Sequence, residues 1–177
     1  MRFTRTPLAD AWFLDVELYE DERGAFARVM CVDEMRQRGI GFQPVQSNIS
    51  FNRHQHTLRG MHFQRAPHAE AKLVRVTHGA IYDVIIDLRA DSVTYCQWYG
   101  VELTGENRRT LYVPPGFAHG FQTLTDNTEV FYQMSEFYHP ESADGVRWDD
   151  PAFGIEWPSA AERVISDADR TRPNFDR

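Results

Sequence analysis

The sequence predicts an all-β shell, closed as a sandwich or barrel, with a few short helices at its periphery. Three observations predict it: turn signals spread evenly along the chain, short runs rich in Val, Ile, Leu, Tyr and Phe between them, and an aromatic content of 13%. The turn signals are Asp21-Glu22-Arg23-Gly24, His78-Gly79, Thr104-Gly105-Glu106-Asn107, Pro114-Pro115-Gly116 and Thr125-Asp126-Asn127. Each gathers residue types whose backbone or side chain favours a tight reversal. A helix is expected over 32–38, capped by Asp33, and a second from Ser159 through Arg163. No repeat, low-complexity tract or linker divides the 177 residues, so a single domain spanning 1–177 is expected.

Composition narrows the function. Apolar residues make up 42% and charged residues 25%, the balance of a globular chain. Nineteen basic residues against 26 acidic ones leave a net charge of −7, which speaks against broad nucleic-acid or anionic-membrane binding. No apolar run approaches the roughly 20 residues of a membrane span, and the opening residues lack a secretory leader's pattern. Cys31 and Cys96 are the only cysteines and form no CxxC, so a reducing cytoplasm is the expected compartment.

The clearest local unit is the pair of apolar runs 72–77 and 80–87 around His78-Gly79, which reads as a two-residue hairpin pairing Thr77 with Ala80 and Val74 with Asp83. Alternation places Lys72, Val74, Val76, Ile81, Asp83 and Ile85 on one face, with Lys72 and Asp83 as diagonal neighbours. A charged pair on an apolar face reads equally as a site or as a lysine whose stem lies on the sheet and whose head reaches water. Tyr132 shares a face with Val130 and Met134, the setting of many core tyrosines. In 58–64, alternation sends Arg59 and His62 to opposite faces; both serve one site only if Gly60 marks a bulge.

Several chemistries lack their residues. A metal-binding β-barrel wants His-x-His followed by further ligands, but Gln64 stands where the second histidine would be, leaving only a poorly spaced set of His62, His68 and His119. Neither cysteine has a nearby histidine, and there is no Gly-x-Ser-x-Gly, Gly-x-Gly-x-x-Gly or P-loop. Acid–base chemistry by histidine, lysine, tyrosine and carboxylates remains, with arginines available to hold phosphate.

Asp21-Glu22-Arg23-Gly24, Gln46-Ser47-Asn48, Leu58-Arg59-Gly60-Met61-His62-Phe63-Gln64, Lys72-Leu73-Val74-Arg75-Val76 and Tyr82-Asp83-Val84 are among the segments that, taken together, resemble the dTDP-4-dehydrorhamnose 3,5-epimerase family. They continue through Pro115-Gly116-Phe117-Ala118-His119-Gly120-Phe121, Glu129-Val130-Phe131-Tyr132, Phe137-Tyr138 and Gly145-Val146-Arg147-Trp148-Asp149-Asp150-Pro151. The resemblance implies a double-stranded β-helix, the cupin jelly roll, without cofactor or metal. It implies His62 as general base, Asp169 as its orienting carboxylate, Lys72 as the cation facing the keto oxygen and Tyr132 as the acid on the opposite face. Arg59, Gln46 and Asn48 would contact diphosphate and sugar, Tyr138 the nucleotide, and His119 would line the sugar pocket, with Asp83 in support. Arg23 and Phe26 would reach the neighbouring subunit's site in a homodimer that exchanges N-terminal strands.

The implied substrate is a nucleotide-diphosphate sugar, dTDP-4-dehydro-6-deoxy-D-glucose, inverted at C3 and C5. Arg28, the loop 65–71 and Gln133-Met134-Ser135 depart from the family pattern and bear on which sugar nucleotide is taken. The competing readings are an epimerase of one carbon or of a CDP- or GDP-linked sugar, a sugar-binding cupin without turnover, and a metal-dependent cupin.

Overall fold

The structure, a computed structural model, describes residues 1–176. In chain order its first strands are β1 (Arg2–Arg5), β2 (Trp12–Asp15), β3 (Tyr19–Asp21), β4 (Gly24–Phe26), β5 (Gln46–Asn52), β6 (Thr57–Gln64) and β7 (Lys72–His78). There follow β8 (Ala80–Asp87), β9 (Trp98–Thr104), β10 (Thr110–Val113), β11 (Phe117–Thr123), β12 (Thr128–Met134), β13 (Ala143–Gly145) and β14 (Val164–Ile165). Every turn signal read from the sequence falls at a strand boundary. Asp21-Glu22-Arg23-Gly24 closes the β3–β4 hairpin, and Pro114-Pro115-Gly116 links β10 to β11.

Two sheets make the shell. One runs β1-β2-β10-β7-β12-β5 and the other β13-β6-β11-β8-β9, with β14 added to β6. Neighbours are antiparallel except β14 on β6. The faces turned toward each other bury Val74, Val76, Leu111 and Val130 from the first sheet against Ile81, Ile85, Leu103 and Phe121 from the second. The outer faces are covered too. Leu14, Leu73 and Tyr112 pack under Met35, Ile40 and Phe42, while Met61, Val84, Ile86 and Ala118 pack under Val146 and Phe153. This double cover accounts for unbroken apolar runs such as Val84-Ile85-Ile86, since both faces of the strand leave water.

The structure corrects three local expectations. Runs 72–77 and 80–87 do not form a hairpin: β7 pairs with β10 and β12, and β8 with β9 and β11. His78-Gly79 is a corner where the chain leaves one sheet for the other. Gly79 takes φ +80°, and a Cβ there would press on the hydroxyls of Thr125 and Thr128. Lys72 and Asp83 are therefore not diagonal neighbours; they stand on separate sheets. The grouping within each strand holds, because alternation is a property of each strand alone, but the single face expected for all six residues is divided between two sheets. The first helix, α1 (Val32–Arg36), is shorter than expected and its N-cap is Cys31, with no side-chain cap. Residues 159–163 form no helix. A single turn, α2 (Asp167–Arg170), comes later, where Ser166 Oγ accepts the backbone N–H of Asp169.

Candidate active site

Between the two sheets lies a cavity of about 730 Å³, an ample size for a small-molecule site. The first sheet lines it with Gln46 and Asn48 from β5, Lys72 from β7 and Tyr132 and Met134 from β12. The second contributes Arg59 and His62 from β6 and His119 from β11, and Tyr138 and Glu70 come from loops. That Arg59 and His62 both line it depends on a bulge. Phe121 pairs with Arg59 and His119 with His62, so Gly60 and Met61 together stand opposite Gly120. Gly60 has φ +125°, and a Cβ there would come within 2.6 Å of Gly120 Cα. Only glycine fits this crossing.

Two histidine–aspartate pairs stand side by side on adjacent strands. His62 Nε2 lies 2.6 Å from Asp169 Oδ1, whose other oxygen accepts the N–H of Gly60. Burial pushes the Asp169 carboxyl up, but its bonds to His62, Gly60 and Ser166 outweigh that and bring it below the ordinary aspartate value. An ionised carboxylate only accepts, so Nε2 of His62 carries the hydrogen and Nδ1 keeps the basic lone pair. His119, directly across from His62 in register, places Nε2 2.8 Å from Oδ1 of the fully buried Asp83.

Lys72 reaches over from the opposite sheet. Its Nζ stands 2.9 Å from Glu70 Oε1 and donates to the carbonyl of His62 at 3.3 Å. Tyr132 belongs to the same sheet as Lys72 and faces β6 across the cavity. Burial, opposed by the charge of Arg59 and reinforced by that of Glu70, raises its phenol above the ordinary value, so it is protonated at neutral pH. Arg59 donates from Nε to Asn52, Gln46 donates to Asn48 Oδ1, and Tyr138 N–H donates to Gln46 Oε1. The polar rim is thus partly assembled in advance.

The comparisons with known proteins agree along the whole chain. The family profile described as dTDP-4-dehydrorhamnose 3,5-epimerase matches residues 5–177. The chain belongs to that family. A curated dTDP-4-dehydrorhamnose 3,5-epimerase from Methanothermobacter thermautotrophicus is 44% identical over 171 residues, covering 96% of this chain and 91% of its own. The crystal structure of the Bacillus anthracis dTDP-4-dehydrorhamnose 3,5-epimerase, with TDP and PPi bound, superposes with a TM-score of 0.94 at 41% identity, covering 98% and 99% of the two chains. The Legionella pneumophila dTDP-6-deoxy-D-glucose-3,5-epimerase, in complex with dTDP-4-keto-L-rhamnose, gives a TM-score of 0.89 at 35% identity, covering 95% and 89%. The two-sheet shell is the cupin-type jelly roll of these epimerases.

Of the residues expected from sequence, His62, Lys72, Tyr132, Gln46, Asn48, Arg59, His119 and Tyr138 line the epimerase-family cavity, with Asp169 and Asp83 held behind the two histidines. Arg23 and Phe26 do not line it. They sit on the β3–β4 hairpin, where Arg23 pairs with Asp21 and Phe26 is 72% exposed. His68 is not gathered with His62 and His119 either. It stacks on His139 at 3.5 Å, beside Glu136, away from the two dyads. Sequence reasoning missed Glu70. One signal was available: Glu70 stands two positions before Lys72, the single lysine among 19 basic residues.

Proposed function

We propose that this chain is a dTDP-4-dehydrorhamnose 3,5-epimerase, converting dTDP-4-dehydro-6-deoxy-D-glucose to dTDP-4-dehydro-L-rhamnose through two proton abstractions and two returns. One observation carries the reading: a carboxylate-backed imidazole and a protonated phenol line one cavity from separate sheets, and the only ammonium side chain lines it too and donates to the main chain of the imidazole's residue. His62 Nδ1 takes the proton from the carbon beside the C4 ketone, at C3 or C5, and the electron pair moves to O4 as an enolate. Lys72 stabilises that charge as it develops, from a position fixed before the substrate arrives. Tyr132 then gives its proton to the other face of the same carbon, which inverts it; the base returning its own proton would restore the starting sugar. Asp169 holds the tautomer of His62 and offsets the imidazolium charge.

Arg59, Gln46 and Asn48 are assigned to the diphosphate and sugar, Tyr138 to the nucleotide end, and the His119–Asp83 pair to the sugar pocket. The homodimer is part of the proposal. Tyr19 and Phe26 on the β3–β4 hairpin, with Ile49 and Phe51 on the edge strand β5, expose an apolar surface suited to a second copy. That copy would receive Arg23 and Phe26 at its cavity. A cytoplasmic setting fits the two unpaired cysteines.

The test is incubation with the 4-keto-6-deoxy sugar nucleotide in D₂O, followed by proton NMR. Deuterium at both C3 and C5 with formation of the rhamno configuration is the expected result. A single labelled carbon would instead identify a monoepimerase, and no label would end the reading.

A further inference from the structure

We infer that Glu70 is a positioning residue for this epimerisation: it fixes the place of the Lys72 ammonium relative to the base. The inference rests on the catalytic reading above and adds a residue to it. Eighteen of the 19 basic side chains are arginine, and the one lysine is 7% exposed at the cavity wall. A compact point charge suits this place where a planar fork would not. An ammonium has three N–H donors. One is donated to the carbonyl of His62, and the ammonium stands 2.9 Å from Glu70 Oε1 in an ion pair. Donor capacity remains for a substrate keto oxygen.

Glu70 is itself anchored. Its side chain is 4% exposed, and its second oxygen accepts the backbone N–H of Gln64 at 3.0 Å. Both ends of the Glu70–Lys72 pair are therefore tied to β6, at Gln64 and at His62, the strand that carries the base. Gln64 locks the loop that brings Glu70 in, donating to the carbonyls of His68 and Phe137 and accepting from His139 N–H. A lysine from the opposite sheet, four bonds of free rotation from its Cα, is thereby referenced to the histidine it must work with.

The carboxylate also has a cost. It offsets part of the positive charge that the enolate would feel, so loss of Glu70 could either free the ammonium's charge or release its position. The two consequences have opposite signs. Because a displacement of about 1 Å at a reacting centre can cost on the order of 100-fold, position is the stronger effect. Glu70→Gln is expected to lower kcat by roughly 10–100-fold and leave KM within about threefold, with Glu70→Asp recovering part of the loss.

The single lysine gives a second readout that does not depend on turnover. Protein labelled with ¹⁵N-lysine has one Nζ resonance, and a buried ammonium held by a hydrogen bond and an ion pair exchanges its protons slowly enough to be seen. That resonance should broaden or shift in Glu70→Gln, with circular dichroism and melting temperature confirming the fold. An unchanged Nζ resonance overturns the inference, and so does an unchanged or higher kcat. A rise in KM with kcat intact also overturns it, since that describes binding and not positioning. If the wild type neither epimerises nor exchanges substrate protons, the functional reading falls and the catalytic role of Glu70 with it. The failure of the inference alone is recognised by an active wild type and an equally active Glu70→Gln.

Discussion

Tyr132→Phe separates the two halves of the proposed reaction. The ring stays packed against the core beside Val74 and Val130, and the hydroxyl makes no hydrogen bond to another described residue. Its removal should therefore change the stability of the fold by no more than about 0.5 kcal/mol. Its effect on inversion should be large. A positioned acid contributes roughly 10²–10⁴-fold, equivalent to about 3–5 kcal/mol of activation free energy at ~1.36 kcal/mol per tenfold. Exchange should behave differently. The His62 side chain is 45% exposed, so a proton it has taken can be replaced by solvent deuterium before it returns on the same face. In D₂O, Tyr132→Phe should wash deuterium into the substrate with little inversion, and His62→Ala should lose both. Proton NMR follows the two processes in one sample. Exchange and inversion falling in parallel in Tyr132→Phe would refute the division of labour between the facing walls.

Two further predictions concern the architecture of the site. Gly60→Ala forces a side chain into a left-handed position and against Gly120 Cα, so urea denaturation should register a loss of about 2–6 kcal/mol, from ~1–3 of backbone strain and ~1–3 of overpacking. A loss under about 0.5 kcal/mol would mean that β6 and β11 do not cross this closely. Asp169 has its folded-state carboxyl below the ordinary value of 3.8, so its contribution is complete above that pH and fades as pH falls through the lowered value. Wild type should accordingly be more stable than Asp169→Asn at neutral pH, with the gap closing below about pH 3.8 in thermal melts. A gap that holds constant into acid would show that the carboxylate's charge is not what His62 and Gly60 respond to.

What could be read from the sequence followed from local physics. Alternation grouped Lys72, Val74 and Val76 correctly within one strand and Ile81, Asp83 and Ile85 within the next, but it joined all six on one face, whereas the structure sets the two groups on separate sheets. The requirement for a bulge at Gly60 was legible because two residues of one site had the wrong parity between them. Pairing was not legible. His78-Gly79 has hairpin chemistry, yet the true partners of β7 lie in 110–113 and 128–134, and nothing local distinguishes a hairpin from a corner between sheets. The expected helix at 159–163 failed for a related reason: Ser159 heads a passable cap, but the chain bends at Ala161 and Glu162 and then enters β14, and the capping serine in use is Ser166. Glu70 was hidden because its importance depends on a contact with Gln64 that only the closed loop creates.

The jelly roll supplies the stereochemistry that the reaction needs. Inverting a carbon requires one group below the sugar ring and another above it, at a separation that a single strand or helix turn does not offer. In the proposed mechanism two sheets about 10 Å apart take a pyranose ring between their side chains, and β6 and β12 both line the cavity from separate sheets. For that mechanism the same division creates a difficulty, because the counter-charge it assigns to the enolate must stand beside the proposed base while its lysine is rooted in the other sheet. Ties from Lys72 and Glu70 to the main chain of β6 meet that difficulty. An arginine would carry the charge equally well but spread it over a rigid fork with five donors. In a chain that uses arginine everywhere else, lysine at 72 answers a demand for a compact charge that fits between two walls and can be held in place there.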